Sequence, residues 1–402
     1  MIHSFFCKNF YSFSEDTTVS FVVNNNAPDN NGYFKTPLGV RLSKAETVIG
    51  ANASGKTNLL KILPFLKWLI IDSFNSKPDA PIWIQPFAFG DYKDKPSELS
   101  VVFETNDKIY NYCFSLTKER ILKEELKATS FAKEKLSTKK IFSREWNDKT
   151  KKYDFDSDNF ELPKEFEELL RSNSSAIGTA ARLNHIESQA IAKYWSQMET
   201  NVIEAGWIGD HSLLNASIQF HETANFYNSN KALKEEAEKL LRHFDLGLDG
   251  IEITKAIKDN GTSMSIKGIH LFDGEKQFLP IQYESSGTKQ LFVLLKSILV
   301  ALEKGSMVVL DEFECNLHPE IVMALYDLFI QPETNPKNAQ LFMSTHSHIV
   351  LSKLDKYQIV LVEKDGNGIS DTWRLDEMPD SRSDDNYYAK YIAGAYGAVP
   401  KI

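Results

Sequence analysis

One segment of this sequence has the residue types and spacing that bind a polyphosphate. Residues 50–57, GANASGKT, match the pattern GxxxxGK(S/T) without a gap, and the glycines of this pattern let successive backbone N–H groups wrap around phosphate oxygens. Lys56 should reach the β- and γ-phosphates, and the Thr57 hydroxyl should ligate Mg²⁺. A structural turn is the alternative. We expect phosphate contacts along the loop and at the start of the next helix, from Gly50, Asn52, Ala53, Ser54, Gly55, Lys56, Thr57 and Asn58.

A second segment, residues 307–312, is an apolar run that ends in two carboxylates, MVVLDE. A buried parallel strand of this kind delivers its acids to the carboxyl edge of the sheet, where ligands bind in α/β folds. We expect Asp311 to hold Mg²⁺ through its hydration shell and Glu312 to orient and polarise an attacking water. Because many strands end in Asp, this pattern is weak alone, and it indicates a nucleotide site only in combination with the loop at 50–57.

Two further polar residues follow strand-like runs. His346 ends the run LFMSTH, and an imidazole at this edge can hydrogen-bond a γ-phosphate, although a single histidine is more often structural. Gln85 follows IWI, where its amide could bridge Mg²⁺ and water or be a solvated edge residue. The candidate catalytic residues are therefore Glu312, His346 and Gln85, and the candidate metal ligands are Thr57, Asp311 and Gln85.

The polar stretch ESSGTKQ, residues 284–290, opens directly into the apolar run LFVLLKSILVAL. A hydroxyl and free N–H groups at a helix start bind anions well, so Ser286 and Gly287 are further candidates for phosphate binding. An ordinary N-cap is the alternative, and the two roles are compatible.

The elements that position these residues can be predicted from hydrophobic periodicity. Residues 47–49 form a short strand and residues 58–71 a buried helix, which places the phosphate loop between them. From residue 288 helices alternate with strands, and this alternation predicts a parallel sheet with covering helices. The later strands are predicted at 307–310, 340–344 and 358–363.

The remaining segments predict an antiparallel β lobe and a group of short helices. Residues 8–23 read as a hairpin, and residues 24–39 as a Gly, Pro and Asn rich loop. Helical patterns occupy residues 162–243 without a sustained heptad. Strands are predicted at 82–89, 98–105, 108–116, 251–257, 263–272 and 278–284. We divide the chain into an N-terminal half of one head (1–154), a helical insertion (155–245) and a C-terminal half of the same head (246–402).

Composition and charge exclude several classes of protein. The 402 residues are 42% hydrophobic and 25% charged, as in ordinary globular proteins, and the net charge of −9 argues against broad nucleic-acid binding. Residues 118–152 are an exception, with twelve Lys or Arg against six Asp or Glu, which indicates solvated faces or a nucleic-acid contact. The three cysteines show no metal or disulfide spacing, and no segment resembles a signal peptide or a membrane span. We expect a cytoplasmic protein with no membrane contact.

In the order GANASGKT, Gln85, ESSGTKQ, VVLDEFE and STHSH, the chain resembles the ABC-type ATPases of chromosome maintenance and repair. It is more narrowly similar to the stand-alone RloA-like ATPases of restriction and abortive-infection loci, relatives of the OLD (overcoming lysogenization defect) ATPases. The start KNFYSF, the LHPE after the acidic pair and the tail YIAGAYGAVP extend the similarity over nearly the whole chain. The resemblance implies an α/β P-loop ABC-type ATPase head with a mixed, largely parallel sheet, an antiparallel β lobe and a short helical insertion in place of a coiled coil.

The resemblance also implies ATP and Mg²⁺ as cofactors and a homodimer with ATP at its interface. In such ATPases the signature segment faces the γ-phosphate held by the P-loop of a second subunit, so Ser286 and Gly287 would serve the ATP of a partner copy. Three residues depart from the common pattern. Thr288 stands where a second glycine is usual, Lys289 where glutamine is usual, and His318 where many relatives have Asp. These departures bear on the geometry across the dimer and on communication between its two sites.

For the biological role, the resemblance implies a slow ATPase switch in antiphage defence by abortive infection. It would control a separately encoded effector, a nuclease or toxin, as in toxin–antitoxin pairs. The tail after His346 lacks the clustered carboxylates of a metal-dependent nuclease, so we expect no nuclease in this chain. A DNA-repair ATPase that binds DNA through lysines such as Lys139 and Lys140 is the second hypothesis. The third, an ATPase subunit of a transporter, would need a membrane partner.

Overall fold

The structure is a computed structural model that describes residues 1–132, 135–157, 160–162, 166–202, 216–244, 247–258 and 261–400. Its strands are β1 Ile2–Lys8, β2 Thr17–Ser20, β3 Tyr33–Lys35, β4 Arg41–Ser43, β5 Ala45–Ile49, β6 Ser97–Thr105, β7 Lys108–Leu116, β8 Ile121–Ala132, β9 Lys135–Asn147, β10 Lys152–Asp156, β11 Glu199–Thr200, β12 Gly250–Lys258, β13 Gly261–Phe272, β14 Glu275–Pro280, β15 Met307–Leu310, β16 Gln340–Ser344, β17 Ile359–Lys364 and β18 Ser370–Arg374. Its helices are α1 Lys56–Leu60, α2 Ile62–Lys67, α3 Phe166–Leu169, α4 Ala176–Arg182, α5 Ile186–Ser196, α6 Ala216–Ser229, α7 Lys231–His243, α8 Ser286–Lys304, α9 Pro319–Ile330 and α10 Tyr387–Ile392.

A six-stranded sheet carries the predicted phosphate loop. Its strand order is β11–β15–β16–β5–β17–β18, and all neighbours are parallel except β17 and β18. Every residue of β5, β15 and β16 is buried, as expected for strands covered by helices on both faces. The α/β fold with a largely parallel sheet is therefore confirmed, and its carboxyl edge collects the loops that follow β5, β15, β16 and β17.

The second large sheet is antiparallel, with the strand order β10–β9–β8–β7–β6–β1–β2. It confirms the predicted β lobe, and the basic segment 118–152 forms most of β8 and β9 within it. The predicted N-terminal hairpin is also present, but β1 already begins at Ile2 and pairs with β2 across a loop at residues 9–16. The segment read as a loop at 24–39 contains β3, which pairs with β4.

One predicted strand, residues 82–89, is wrong. Ile82 and Ile84 are buried between exposed neighbours, so the side chains do alternate as in a strand. The backbone nevertheless forms no ladder within the part of the chain that the structure describes. The segment is flanked and interrupted by Pro81 and Pro86, which lack an N–H donor and limit pairing.

The helices of residues 155–245 divide between two hydrophobic cores. Ile177 of α4 and Trp195 of α5 belong to the core of the antiparallel lobe. Tyr227 of α6 and Leu241 of α7 belong to the core around α8 and the six-stranded sheet. Between them β11 pairs with β15 as an edge strand of that sheet. The proposed segment 155–245 is thus helical but is packed into both halves of the molecule, and the domain boundaries stay a prediction.

Helix α8 has clear start and stop signals. The Ser285 hydroxyl accepts a hydrogen bond from Thr288 N at 3.0 Å and caps the first turn. The helix ends at Gly305, which has φ 66°. A Cβ at Gly305 would lie 2.7 Å from Lys337 O, so this position requires glycine for both its conformation and its close packing.

Candidate functional site

The phosphate loop lies between β5 and α1, as its sequence pattern predicts. Gly55 adopts φ 118° immediately before the helix, and no side chain among the described residues caps this helix end. The first N–H groups of the helix are therefore left for an anionic ligand. At the other end of the loop, a Cβ on Gly50 would lie 2.2 Å from Val362 O, so only glycine lets the loop pass this close to β17.

Lys56 is buried and points back into the loop. Its Nζ donates to Gly50 O at 2.9 Å and to Ala51 O at 3.0 Å. Burial lowers the pKa of Lys56, and the nearby carboxylates of Asp311, Glu314 and Glu312 oppose this shift. The ammonium is held by weak neutral acceptors in a partly desolvated position, where a phosphate would be a better partner.

The acidic pair is positioned by side chains from two neighbouring segments. The Ser344 hydroxyl, at the end of β16, donates to Asp311 Oδ1 and accepts from Glu312 N at 3.0 Å. Asn201 fixes the backbone of Asp311, because its Oδ1 accepts from Asp311 N at 2.7 Å and its Nδ2 donates to Asp311 O at 2.9 Å. Glu312 has φ 47°, a conformation that bends the chain out of the strand.

These elements meet around one cleft of about 730 Å³. It is lined by Asn52, Ala53, Ser54, Gly55, Lys56, Thr57, Asn58, Asp311, Glu312, His346 and Lys364. Thr57, Glu312 and His346 are exposed, so their polar groups are available to a ligand. The structure therefore brings the predicted loop, acidic pair and histidine together at the carboxyl edge of the sheet.

The back of the loop is held by hydroxyl groups and by the C-terminal tail. The Ser370 hydroxyl donates to Ser54 O at 2.6 Å, and its oxygen lies within hydrogen-bond distance of Ser12 Oγ, at 2.8 Å. Asn58 Nδ2 also donates to Ser12 Oγ, at 2.9 Å. On the tail, Ala398 O accepts from Ala51 N at 3.0 Å. The loop is thus tied to β18 and to the segment after α10.

Gly50 and two further groups of predicted residues lie outside the lining of this cleft. Ser286 and Gly287 start α8, but the capping hydroxyl belongs to Ser285, and Ser286 is exposed. A Cβ on Gly287 would lie 2.7 Å from Asn316 O, so this helix start packs on the segment that follows the acidic pair. Gln85 is exposed outside any strand, and its backbone O accepts from Tyr11 N at 2.7 Å.

The sequence reasoning missed four residues that hold or line the cleft: Ser12, Asn201, Ser344 and Lys364. Lys364 could have been found, because it directly follows the strand predicted at 358–363, and the rule that ligands bind at the carboxyl edge of the sheet applies to it as it does to Asp311 and His346. Ser344 directly precedes the segment that contains His346. Nothing in the sequence marks Asn201, which contacts Asp311 across more than a hundred residues.

The donor set suits Mg²⁺ bound together with a polyphosphate. The described residues contain no group of three His, Cys, Asp or Glu that could hold a metal ion alone. Magnesium commonly takes one or two protein oxygens and completes its shell with water and phosphate oxygens. Thr57 and Asp311 supply such oxygens in the cleft, so they would hold the ion, which would neutralise phosphate charge when bound.

The fold and the cleft define a P-loop domain of the nucleoside-triphosphate-binding class. A family model described as "AAA domain, putative AbiEii toxin, Type IV TA system" matches residues 47–352. This is more than half of the chain, and the chain belongs to this family of AAA domains.

Comparisons with other proteins add little to the family assignment. A comparison with curated protein sequences found no match. Among solved structures, the SMC head domain from Thermotoga maritima is 16% identical, with a TM-score of 0.39 over 93% of this chain and 98% of that chain. A similarity at this level carries no information about ligands or partners. No helix among the described residues has the length and apolar character needed to cross a bilayer.

Proposed function

We propose that this protein is a Mg²⁺-dependent ATPase switch that binds ATP in the cleft between the phosphate loop and the acidic pair. The observation that carries the proposal is the meeting of Lys56, Thr57, Asp311, Glu312 and His346 around one cleft. These residues follow three different strands, β5, β15 and β16, which are far apart in the sequence. Their convergence gives a phosphate grip, a metal site and a base at one place, which is what phosphoryl transfer requires.

In this proposal each residue has a separate role. The loop N–H groups and Lys56 hold the β- and γ-phosphates, while Thr57 and Asp311 hold Mg²⁺. Glu312 then orients and polarises the attacking water, and His346 donates a hydrogen bond to the γ-phosphate. Gln85 would join the metal and the water only if its exposed segment moves towards the cleft. Its position outside the lining makes it the weakest of the proposed catalytic residues.

We further propose a homodimer in which two copies enclose two molecules of ATP. Support comes from the start of α8, where the exposed Ser286 lies outside the lining of its own cleft. The Ser285 cap engages Thr288 N, so the backbone N–H groups of Ser286 and Gly287 suit a phosphate held by a second copy. Gly287 packs on Asn316, which follows the acidic pair, so closure of a dimer would act on Glu312 through residues 313–316.

For the biological role, we propose a cytoplasmic antiphage switch of the abortive-infection type that controls a separately encoded nuclease or toxin. The family description names a toxin of a type IV toxin–antitoxin system, and this supports a role beside a partner protein. We include in this proposal that the protein acts in the same way as the RloA-like and OLD-related ATPases that its sequence resembles.

A second candidate is an ATPase that binds DNA directly. The observation in its favour is the long β8–β9 hairpin, on which Lys135 and Lys139 are exposed. If it is correct, replacing Lys135 and Lys139 should weaken DNA binding and reduce its dependence on salt. DNA binding that is absent in the wild type, or unchanged in the double variant, would exclude this candidate.

The test of the ATPase proposal is Glu312→Gln, because glutamine keeps the size of the side chain but removes its ability to polarise water. We expect the variant to bind Mg·ATP with an affinity near that of the wild type, to hydrolyse it at least a hundredfold more slowly, and to accumulate as a dimer. Glu333→Gln is a matched control, since Glu333 is exposed outside the cleft. Hydrolysis by Glu312→Gln at the wild-type rate would refute the assigned role.

A further inference from the structure

Lys364 is a cation in the cleft that the roles above do not use. It is the last residue of β17, is half-buried and lines the cleft together with the phosphate loop. No ion pair among the described residues involves Lys364. A lysine of intermediate burial that lines the cleft without a carboxylate partner is available to an anionic ligand.

The position of Lys364 is fixed relative to the phosphate loop from two sides. Its ladder partner on β18 is Ser370, whose hydroxyl donates to Ser54 O at 2.6 Å. Its neighbour Glu363 accepts from Ala398 N at 3.1 Å, and Ala398 O accepts from Ala51 N at 3.0 Å. Both chains of hydrogen bonds end on the phosphate loop. They fix the backbone position of Lys364 relative to the loop, as expected for a preorganised binding group.

Strand order decides which end of a nucleotide Lys364 faces. β15 and β16, which carry the acidic pair and His346, lie on one side of β5, and β17 lies on the other side. Lys364 and Glu312 therefore follow strands that are three spacings apart, or about 14 Å at the usual strand separation. If the γ-phosphate of a triphosphate lies at Glu312 and the chain of phosphates crosses the loop after β5, the α-phosphate and nucleoside would lie towards β17 and Lys364.

We propose that Lys364 recognises the α-phosphate and ribose end of the nucleotide, on the opposite side of the phosphate loop from the hydrolytic residues. This inference rests on the proposed ATP-binding function. The proposal gives Lys56 and Lys364, the two lysines that line the cleft, different roles in nucleotide binding. Lys56 serves the β- and γ-phosphates, whereas Lys364 adds a contact to the α-phosphate, which pyrophosphate bound at the β- and γ-positions does not offer.

Calorimetric titration of Lys364→Ala with Mg²⁺ and three ligands tests this assignment. One charge-assisted contact corresponds to about tenfold in affinity. We expect ATP and ADP to bind about tenfold more weakly than to the wild type, and pyrophosphate, which would fill only the β- and γ-positions at Lys56, to bind equally well. Lys364→Arg should retain most of the nucleotide affinity. Lys231→Ala, which removes an exposed lysine on α7, is the control and should change none of the three affinities.

The outcomes are distinguishable. Weaker binding of ATP and pyrophosphate with unchanged ADP would place Lys364 at the γ-phosphate and refute the proposal. Wild-type affinities of Lys364→Ala for all three ligands would refute it as well, while leaving the ATPase proposal intact. Failure of the wild type to bind ATP would overturn both. Because Lys364 is only half-buried, we expect its variants to fold. Thermal melting without ligand checks this for each variant.

Discussion

Replacing Ser344 by alanine tests how the acidic pair is held in place. Ser344 is fully buried, and its one hydroxyl donates to the Asp311 carboxylate and accepts from Glu312 N. A hydrogen bond to a charged group contributes about 1.5–3 kcal/mol and a neutral one about 0.5–1.5 kcal/mol. We therefore expect Ser344→Ala to lower the free energy of unfolding by about 2–4 kcal/mol, measured by urea denaturation.

The same substitution should also slow hydrolysis. Glu312 adopts φ 47°, and a non-glycine residue holds such a conformation only where its surroundings fix it. Without the Ser344 hydroxyl, the Glu312 carboxylate should lose its orientation towards the cleft. We expect kcat for ATP to fall about tenfold or more, which corresponds to about 1.4 kcal/mol of transition-state stabilisation, while ATP binding through the loop is retained.

The control is Ser306→Ala. Ser306 is also buried, but its hydroxyl makes one neutral bond, to Gln197 O at 2.8 Å, away from the acidic pair. It should cost about 1 kcal/mol and leave kcat unchanged. The reasoning would be refuted if Ser344→Ala cost no more than Ser306→Ala. It would also be refuted if the effects of Ser344→Ala and Asp311→Asn on stability were additive, because directly bonded residues are coupled.

Two further predictions concern buried charges. Glu124 and Arg144 are fully buried and joined at 2.6 Å, so Glu124→Gln should lower the free energy of unfolding by about 3–5 kcal/mol in urea denaturation, and a loss below about 1 kcal/mol would contradict this. Burial raises the pKa of Glu46 well above its ordinary value of 4.5, and Arg374, 4.0 Å away, offsets this only in part. The folded state then binds more protons than the unfolded state above that value, so stability should fall as the pH rises above 4.5. This fall should be smaller in Glu46→Gln, and equal slopes for the two proteins would count against the assignment.

The elements around the phosphate site could be predicted closely from sequence. The apolar runs MVVL and QLFMS have no polar alternation, which is typical of strands buried on both faces, and β15 and β16 lie at the predicted residues. The loop at 50–57 is predictable for a different reason. Its glycines and Lys56 are the residues that a phosphate-binding loop between a strand and a helix requires. Such features depend on residues close together in the chain.

The remaining features depend on contacts between distant segments. Residues 82–85 alternate between buried and exposed side chains as in a strand, yet Pro81 and Pro86 on either side of them limit strand pairing. Hydrophobic periodicity alone does not take this effect of proline into account. Asn201 and Ser344 position Asp311 from 110 and 33 residues away. Their polar side chains look like ordinary loop and strand-end residues until the sheet brings them beside the acidic pair.

The central claim is that the cleft bounded by the phosphate loop and the acidic pair binds ATP with magnesium. Calorimetric titration of the wild type and of Lys56→Ala with ATP, each with and without Mg²⁺, measures this most directly. We predict one ATP per chain for the wild type with Mg²⁺, weaker binding without the ion, and loss of binding in Lys56→Ala. Equal ATP binding by the wild type and Lys56→Ala, or no binding by either, would contradict the claim.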